Sequence, residues 1–419
     1  MDKLKIGVVG AGRGGSMMKY CKAATNATLV AVCDNWIEGL EQRKALLNDD
    51  SVSYYTNYSD FLKHDMDVVV LANYANEHAP FAIEAMEKGL HVISEVLPVQ
   101  NMKEAVELVE AVERTGKKYA YIENTCYMAG PREMKRIYRE GRLGEFEYGE
   151  GEYCHNCESI WSKITHGDPE HWRNNMYASF YCTHSIGPLI HITGLRPVSV
   201  TGFELPYNER MYNMGRRQGL AAVEMVTLEN GAILKSLHGE LYKHSIWFSI
   251  YGSKGRLETA REDAEHGDNM RIYINLDRES GVYNSPVNRD ILNYIPCDEF
   301  SDIAKGFSHN GCDFYSMWNA VEYIRGNKEA DSIDVYEALD MFLPGLFAWF
   351  SILDGGKPKD IPNLREPAQR EQYREDVRCT DKKVAGNQLL PCYSKGNPTI
   401  EPHVYEGIQE KFRNMDKKI

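Results

Sequence analysis

The chain opens on Leu4-Lys5-Ile6-Gly7-Val8-Val9, a short apolar run stopped at once by Gly10-Ala11-Gly12-Arg13-Gly14-Gly15. An apolar run of this kind, stopped by glycines, has the form of a buried parallel strand, and Gly10, Gly12 and Gly15 follow it at G-x-G-x-x-G spacing. Alone, that spacing is weak evidence. It gains weight because Ser16–Ala24 continues as a helix and Leu29–Cys33 forms a second strand ending in Asp34. Strand, glycines, helix, strand and acid, in that order, describe a dinucleotide-binding unit. The helix N-terminus receives the pyrophosphate and the acid accepts hydrogen bonds from a ribose 2'-hydroxyl. An aspartate there repels a 2'-phosphate, so the expected cofactor is NAD rather than NADP. The alternative reading is a glycine turn beside a surface aspartate.

The alternation continues through residue 125. Asp67–Ala72 is a near-continuous apolar strand, Pro80–Lys88 a helix, Leu90–Ser94 a strand closing on Glu95, and Lys118–Ile122 a last strand delivering Glu123 and Asn124. Strand ends in a doubly wound sheet face the ligand crevice, which makes Asn73, His78, Glu95 and Val96 candidates to line it. Asn101-Met102-Lys103-Glu104 has capping-box form ahead of an apolar helix face made by Ala105, Leu108, Val109 and Val112.

A chain of 419 residues with 43% hydrophobic side chains can bury a full core and is expected to form more than one domain. Its formal charge of −13, with no Lys/Arg-rich run, disfavours nucleic acid as a partner and points to a small molecule. The first strand leaves no room for a secretory leader, and the ten scattered cysteines suit reduced thiols, so a cytoplasmic location is expected. No uninterrupted apolar run reaches the roughly 18 residues needed to cross a bilayer, so no membrane partner is expected.

Beyond Asn124 the pattern changes. A helix at Pro131–Glu140 precedes strands at Glu145–Tyr153, Gly219–Leu228, Ala232–Leu241 and Ile246–Tyr251, with turns at Glu229-Asn230-Gly231 and Gly252–Gly255. Asp334–Leu353 is a strongly apolar helix, and the tail from Pro362 is polar. The expected fold is an α/β Rossmann domain over residues 1–125, followed by an α+β domain with an open, mostly antiparallel sheet over 126–360, and a polar extension over 361–419. One face of that sheet packs helices, and the other is free to pair with another subunit.

Here a resemblance becomes specific. The glycine motif with Asp34, the strand-end Glu95, and His184 ten residues before Gly194 resemble the Gfo/Idh/MocA oxidoreductases. Two positions depart from the common pattern. Val96 stands where a Glu-Lys-Pro motif supplies a lysine, and Phe180 stands where an aspartate precedes the histidine by four residues. Both departures fit one branch. Glu95-Val96, Glu123–Tyr127, Gly151–His155, Trp172-Arg173, Tyr181–His184 with Gly187-Pro188, His309–Asp313, Ile333–Tyr336 and Gly356–Pro362 resemble glycoside hydrolase family 109. The resemblance implies NAD contacts from the loop Gly10, Gly12, Arg13, Gly14 and Gly15, from Asp34, from Asn73 and the turn Ala75, Asn76, Glu77 and His78, and from Glu95, Val96 and Asn124. It implies sugar contacts from Tyr153, Arg173, Tyr181, Cys182, Thr183 and His184, with Tyr242 matching a further family tyrosine on a different spacing. Cys182 replaces the family's usual proline before Thr-His. A homo-oligomer, dimer or tetramer, is the implied assembly.

Such a glycosidase works by making a carbon acid. The sugar is oxidised transiently at C3, which acidifies the C2 hydrogen; loss of that proton expels the aglycone from C1, water adds, and C3 is reduced again. The cycle needs a base near C3-OH and C2-H and a donor for the developing enolate. Tyr181 and His184 are three apart at the start of an expected helix Ser185–Thr193, with Thr183 as a candidate N-cap, and a helix N-terminus favours a neutral imidazole. His184 is assigned to the C3 hydroxyl and Tyr181 to the C2 proton, roles that can be exchanged; a packed aromatic and a buried structural histidine are the alternative. Arg173 either clamps the substrate or makes a surface ion pair, and His309 either binds sugar hydroxyls or caps the next helix. Cys154-His155-Asn156-Cys157 has zinc-like spacing, but a structural site needs a second pair, so no metal is expected. His155, His166 and His171, with Trp161 and Trp172, are expected in a loop over the sugar. The competing functions are an NAD-dependent glycoside 3-dehydrogenase and a non-enzymatic sugar sensor.

Overall fold

The computed structural model describes residues 3–263, 265–267, 270–276 and 291–416. The chain forms two compact units, one from residues 1–128, 297–339 and 364–376, the other from 129–296, 340–363 and 377–419.

The first unit is built on six parallel strands, β1 (Leu4–Val9), β2 (Ala27–Cys33), β3 (Ser53–Tyr55), β4 (Val68–Leu71), β5 (His91–Ser94) and β6 (Tyr119–Tyr121), ordered β3-β2-β1-β4-β5-β6. Ile6, Val8, Val68, Val69, Val70 and Leu71 are fully buried, as strands covered on both faces require. Chain direction across the sheet reverses between β1 and β4, so the ligand crevice opens at their carboxyl ends. Gly10 (φ +101°) closes that end, and a Cβ on it would stand 2.3 Å from the Ala72 carbonyl oxygen. Edge strand β3, three half-buried residues, carries too little apolar pattern to be read in sequence. The capping box forms with a shift: Asn101 Oδ1 accepts from Glu104 N–H, while the Glu104 carboxylate accepts from Gln100 N–H and from the Asn101 side-chain amide.

Later residues complete this unit. Helix Cys312–Arg325 packs on helix Gly15–Ala23, with Tyr20 and Phe314 rings 5.7 Å apart, and Tyr121 N–H donates to Ile333 O at 2.8 Å. Arg370 grips Glu113 through both terminal nitrogens.

The second unit is organised on nine strands, β7 (Phe146–Cys154), β8 (Pro197–Glu204), β9 (Ala221–Leu228), β10 (Ile233–Gly239), β11 (Ser245–Gly252), β12 (Gly255–Thr259), β13 (Ile272–Leu276), β14 (Ile291–Tyr294) and β15 (Lys359–Asp360). Their order is β14-β13-β12-β11-β7-β10-β9-β8-β15, antiparallel except where β7 meets β10. The sheet is therefore open and mostly antiparallel, as expected. Helix Thr183–Thr193 lies against β7 because Gly151 has no side chain there: a Cβ would sit 1.7 Å from the Ser185 carbonyl oxygen. Helix Val335–Leu353 is long and apolar enough to cross a membrane, yet 83% of its most apolar window is buried, with Leu346, Ala348 and Trp349 fully enclosed, so it serves as a core helix. The polar tail ends in helix Pro402–Asp416, whose Val404, Tyr405 and Ile408 form a small core with Ile400 and Tyr212.

Gly151→Ala should force the helix off β7 and lower stability by roughly 2–3 kcal/mol, whereas Gly407→Ala, in a helix with no atom within 4 Å of the new methyl, should be neutral or stabilising. Thermal unfolding midpoints of the two variants check this.

Candidate functional site

The first unit's crevice is shaped by its glycines. A Cβ on Gly14 would stand 2.2 Å from Gly10 O, and one on Gly15 would stand 2.5 Å from the Arg43 guanidinium, but the space above Gly12 is open to 4 Å. Backbone packing thus constrains Gly10 and Gly14, while Gly12 leaves room for a ligand to approach. Arg43, which sequence reasoning missed on a polar helix, donates from Nε to Ala11 O at 2.9 Å and braces the loop from outside. Asp34 accepts from Ala11 N–H (2.6 Å) and Trp36 N–H (2.8 Å), and its carboxylate keeps further lone pairs for a ribose diol. Asn73 donates to Glu77 at 2.9 Å beside the turn Ala75–Glu77, and its Oδ1 is buried without a hydrogen-bond partner. The Asn76 carbonyl accepts from Gln100. Val96 and Asn124 are each 9% exposed. An open glycine loop at a helix N-terminus, an orphaned amide oxygen and a strand-end acid fit NAD.

His78 is 1% exposed, its Nδ1 lies 2.8 Å from Leu97 O, and burial pushes its pKa down to about 4, so its imidazole is neutral; its Nε2 is buried without a hydrogen-bond partner.

Arg13 is the hub of an ion-pair network. It reaches Glu95 at 2.6 Å and grips both oxygens of Asp313 at 2.6 and 2.9 Å; Asp313 also accepts from Ser16 (2.6 Å) and lies 3.0 Å from His309 Nδ1. Burial raises the Asp313 carboxyl, but hydrogen bonds from Arg13 and His309 outweigh it and hold its pKa well below the usual carboxylate range. For Glu95 burial wins over Arg13, and its pKa is raised. His309 therefore does not cap the following helix, whose N-cap is Gly311; it belongs to this network.

The second unit holds the other group of expected residues. The helix starts at Thr183, two residues earlier than expected, with Cys182 in the cap position and no side-chain cap, so Thr183 does not serve as N-cap and His184 sits in the first turn. Arg173, in the single turn Trp172–Asn174, donates to the Tyr181 hydroxyl at 2.8 Å, with its guanidinium 4.5 Å from the Trp172 ring and 5.0 Å from the Tyr181 ring. It is half-buried against a phenol, not held in a surface ion pair. The His184 ring lies 5.1 Å from Tyr181 and 4.5 Å from Tyr153. The Tyr153 hydroxyl is 3.2 Å from His155 Nδ1, and His155 packs edge-on against His244, 5.2 Å away, a neighbour the sequence did not signal. Burial, helped by His244, pushes His155 down to about 4, leaving it neutral.

Other expectations separate from this cluster. Cys182 is fully buried with its thiol directed at Met341 O (3.4 Å), and Thr183 is fully buried, so both pack the helix instead of facing a sugar. His171 backs Arg173 by accepting its N–H at 3.2 Å, whereas His166 stacks on Phe412 and Trp161 lies under Arg216. Tyr242 is 72% exposed. Burial pushes the thiols of Cys154 and Cys157 up to about 12, and no group of three or more potential ligands could hold a metal among the described residues. Behind the helix, Ser185 Oγ meets Ser236 Oγ at 2.7 Å and Ser236 meets His238 Nδ1 at 3.2 Å.

Comparison with known proteins bears on the fold and the cofactor. Residues 4–123 match the oxidoreductase family described as having an NAD-binding Rossmann fold. A glycosyl hydrolase family 109 protein of Solibacter usitatus is 24% identical over 86% of this chain and 88% of its own length. Another, from Shewanella sp. (strain W3-18-1), is 26% identical over 88% and 86%. Among solved structures, the WlbA dehydrogenase of Bordetella pertussis in complex with NADH and UDP-GlcNAcA shares the fold with a TM-score of 0.64 at 20% identity, covering 86% of this chain and 99% of that one.

Asp313→Asn should cost on the order of 2–3 kcal/mol at neutral pH by leaving Arg13 with one carboxylate. Because the folded pKa of Asp313 is depressed, its contribution is fully present above the unfolded value of about 3.9 and lost as pH falls through the folded one. Denaturation of wild type and variant from pH 7 downward should show a gap that closes below about pH 4.

Proposed function

We propose, for a chain whose residues 4–123 are an NAD-binding Rossmann unit of the Gfo/Idh/MocA oxidoreductases, that it is an NAD-dependent glycoside hydrolase acting by transient oxidation at C3, loss of the C2 proton, elimination, addition of water and re-reduction. The observation that carries this is the cluster of Arg173, Tyr181, His184 and Tyr153. Its phenols and imidazole can move protons at hydroxyls and acidified carbons, and its guanidinium can stabilise the negative charge this creates. Hydrolysis through an oxocarbenium ion uses a pair of carboxylic acids instead. The names of the relatives, glycosyl hydrolase family 109, support the same reading.

Asp34, the Gly12 opening and the helix beginning at Gly15 would hold NAD, and the bound nicotinamide would supply reversible hydride transfer at the sugar carbon. The protein's own groups do the rest. Arg173 stabilises negative charge on the Tyr181 oxygen, because a guanidinium donating to a phenol favours the phenolate. Tyr181 is therefore the base for the C2 proton. His184 takes and returns the proton of the C3 hydroxyl, its ring steadied by Tyr153, whose hydroxyl is in turn held near neutral His155.

Protein with catalytic NAD+ and a set of aryl α- and β-glycosides in D2O should release aglycone and yield free sugar deuterated at C2, read by NMR. Tyr181→Phe and His184→Ala should each lower kcat by about 10²-fold or more. An intact glycosidic bond with stoichiometric NADH would make the protein a sugar dehydrogenase. Aglycone release without deuterium would sink proton abstraction at C2.

A further inference from the structure

The C-terminal helix turns one stripe toward the stretch of chain that carries Arg173. Tyr405, Gln409 and Phe412 follow one another at steps of four and three residues, the spacing that puts side chains on one face of a helix. Gln409 donates from Nε2 to Gly167 O at 3.2 Å, and the Phe412 ring stacks on His166 with centroids 4.1 Å apart. The fit at Gly167 is close: a Cβ there would stand 2.5 Å from Gln409 Cγ and 2.8 Å from Tyr405 O, at a φ of +71° that itself favours glycine. Two more residues of the tail reach further along the same stretch. Lys382 pairs with Glu170 at 2.5 Å, and the Cys392 thiol donates to Asn175 O at 3.1 Å.

Arg173 lies inside this gripped stretch, six residues past Gly167 and two before Asn175. Its own regular structure is the single turn Trp172–Asn174, too short to fix a side chain by itself. The residues around it are tied to one another: Asn174 donates to Asp168 O at 2.8 Å, Asn175 to Pro169 O at 3.0 Å, and Arg173 N–H to His171 Nδ1 at 3.2 Å. A shift at Gly167 is therefore passed on to Arg173.

We propose that the C-terminal helix is a positioning element of the reaction cluster, fixing through Gly167 and His166 the stretch that sets Arg173 on the Tyr181 hydroxyl. That hydrogen bond is 2.8 Å long, and a displacement of about an ångström takes it out of range. The effect on rate rests on the glycosidase reading, in which Arg173 favours the phenolate of Tyr181. The placement of Arg173 does not.

The test uses the full chain supplied with NAD+, at a temperature where circular dichroism shows each variant folded. Phe412→Ala and Gln409→Ala should each lower kcat on an aryl glycoside by about tenfold and leave KM within about twofold. Phe412→Tyr, which keeps the ring, should return kcat to wild type. Gly407→Ala, on the same helix with no atom within 4 Å of the new methyl, should leave kcat unchanged. In an Arg173→Ala background Phe412→Ala should cost nothing further, because its effect runs through the guanidinium. An unchanged kcat in Phe412→Ala, an equal loss in both backgrounds, or a similar loss in Gly407→Ala would overturn the assignment. A second readout needs no turnover. With 5-fluorotryptophan incorporated and the Trp172 resonance assigned through Trp172→Phe, Phe412→Ala should move that resonance, since the Arg173 guanidinium lies 4.5 Å from the Trp172 ring centroid. A resonance that moves in a protein cleaving no glycoside supports the placement and removes the glycosidase reading; one that stays put overturns the placement even where glycosides are cleaved.

Discussion

The segment Ser179–Ser185 is held by two backbone contacts that only glycine permits. On one side the Ser185 carbonyl meets β7 where Gly151 has no Cβ; on the other, the Ser179 carbonyl meets Gly345, where a Cβ would stand 2.2 Å away. Ser179 Oγ donates to Gly345 O at 2.8 Å, and Ser185 Oγ meets Ser236 at 2.7 Å, so the segment is both wedged and hydrogen-bonded. Tyr181 and His184 project from it. Acid/base chemistry needs its groups held to fractions of an ångström, and a segment fixed by backbone packing meets that need better than one held by side chains alone.

The first unit solves a different problem. Its crevice must accept negative charge, yet a buried arginine without partners would be costly. Glu95 and Asp313 neutralise Arg13 from two directions, and Asp313, more strongly held, also fixes Ser16 on the helix behind the glycine loop. The loop is then braced from below by Asp34 and from outside by Arg43. Order at the phosphate-binding turn comes from charge and hydrogen bonding, whereas order at the reaction cluster comes from close packing.

Much of this was legible in the sequence, for physical reasons. Parallel strands buried on both faces are written as uninterrupted apolar runs, so β1, β2, β4, β5 and β6 could be read with small errors at their ends. β8 could not, because it begins at a proline and carries a glycine at 202 that lets the Ala348 carbonyl approach. Tyr153, Arg173, Tyr181 and His184 were found through short motifs, and they meet. Cys182 was misjudged because adjacency along the chain does not fix direction: residues one and two apart at a helix start point to different sides. Asp313 as the partner of Arg13 was beyond reach, since 300 residues separate them and neither stretch alone hints at the pair. The last helix was hidden by its charged neighbours, only Val404, Tyr405 and Ile408 of it joining a buried apolar cluster among the described residues.

That 300-residue separation has a consequence for synthesis. The six strands of the first unit leave the ribosome early, but the helix that covers Tyr20, the carbonyl that pairs with Tyr121 and the arginine that grips Glu113 come only from residues 312–370. Until then Tyr20 and the Tyr121 N–H lack their partners and Arg13 lacks one of its two carboxylates. Contacts of such sequence separation form slowly, so the early product is a partly assembled intermediate of the kind that aggregates or recruits chaperones. A chain cut after residue 128 would carry every strand of the dinucleotide sheet and still lack the pieces that finish it.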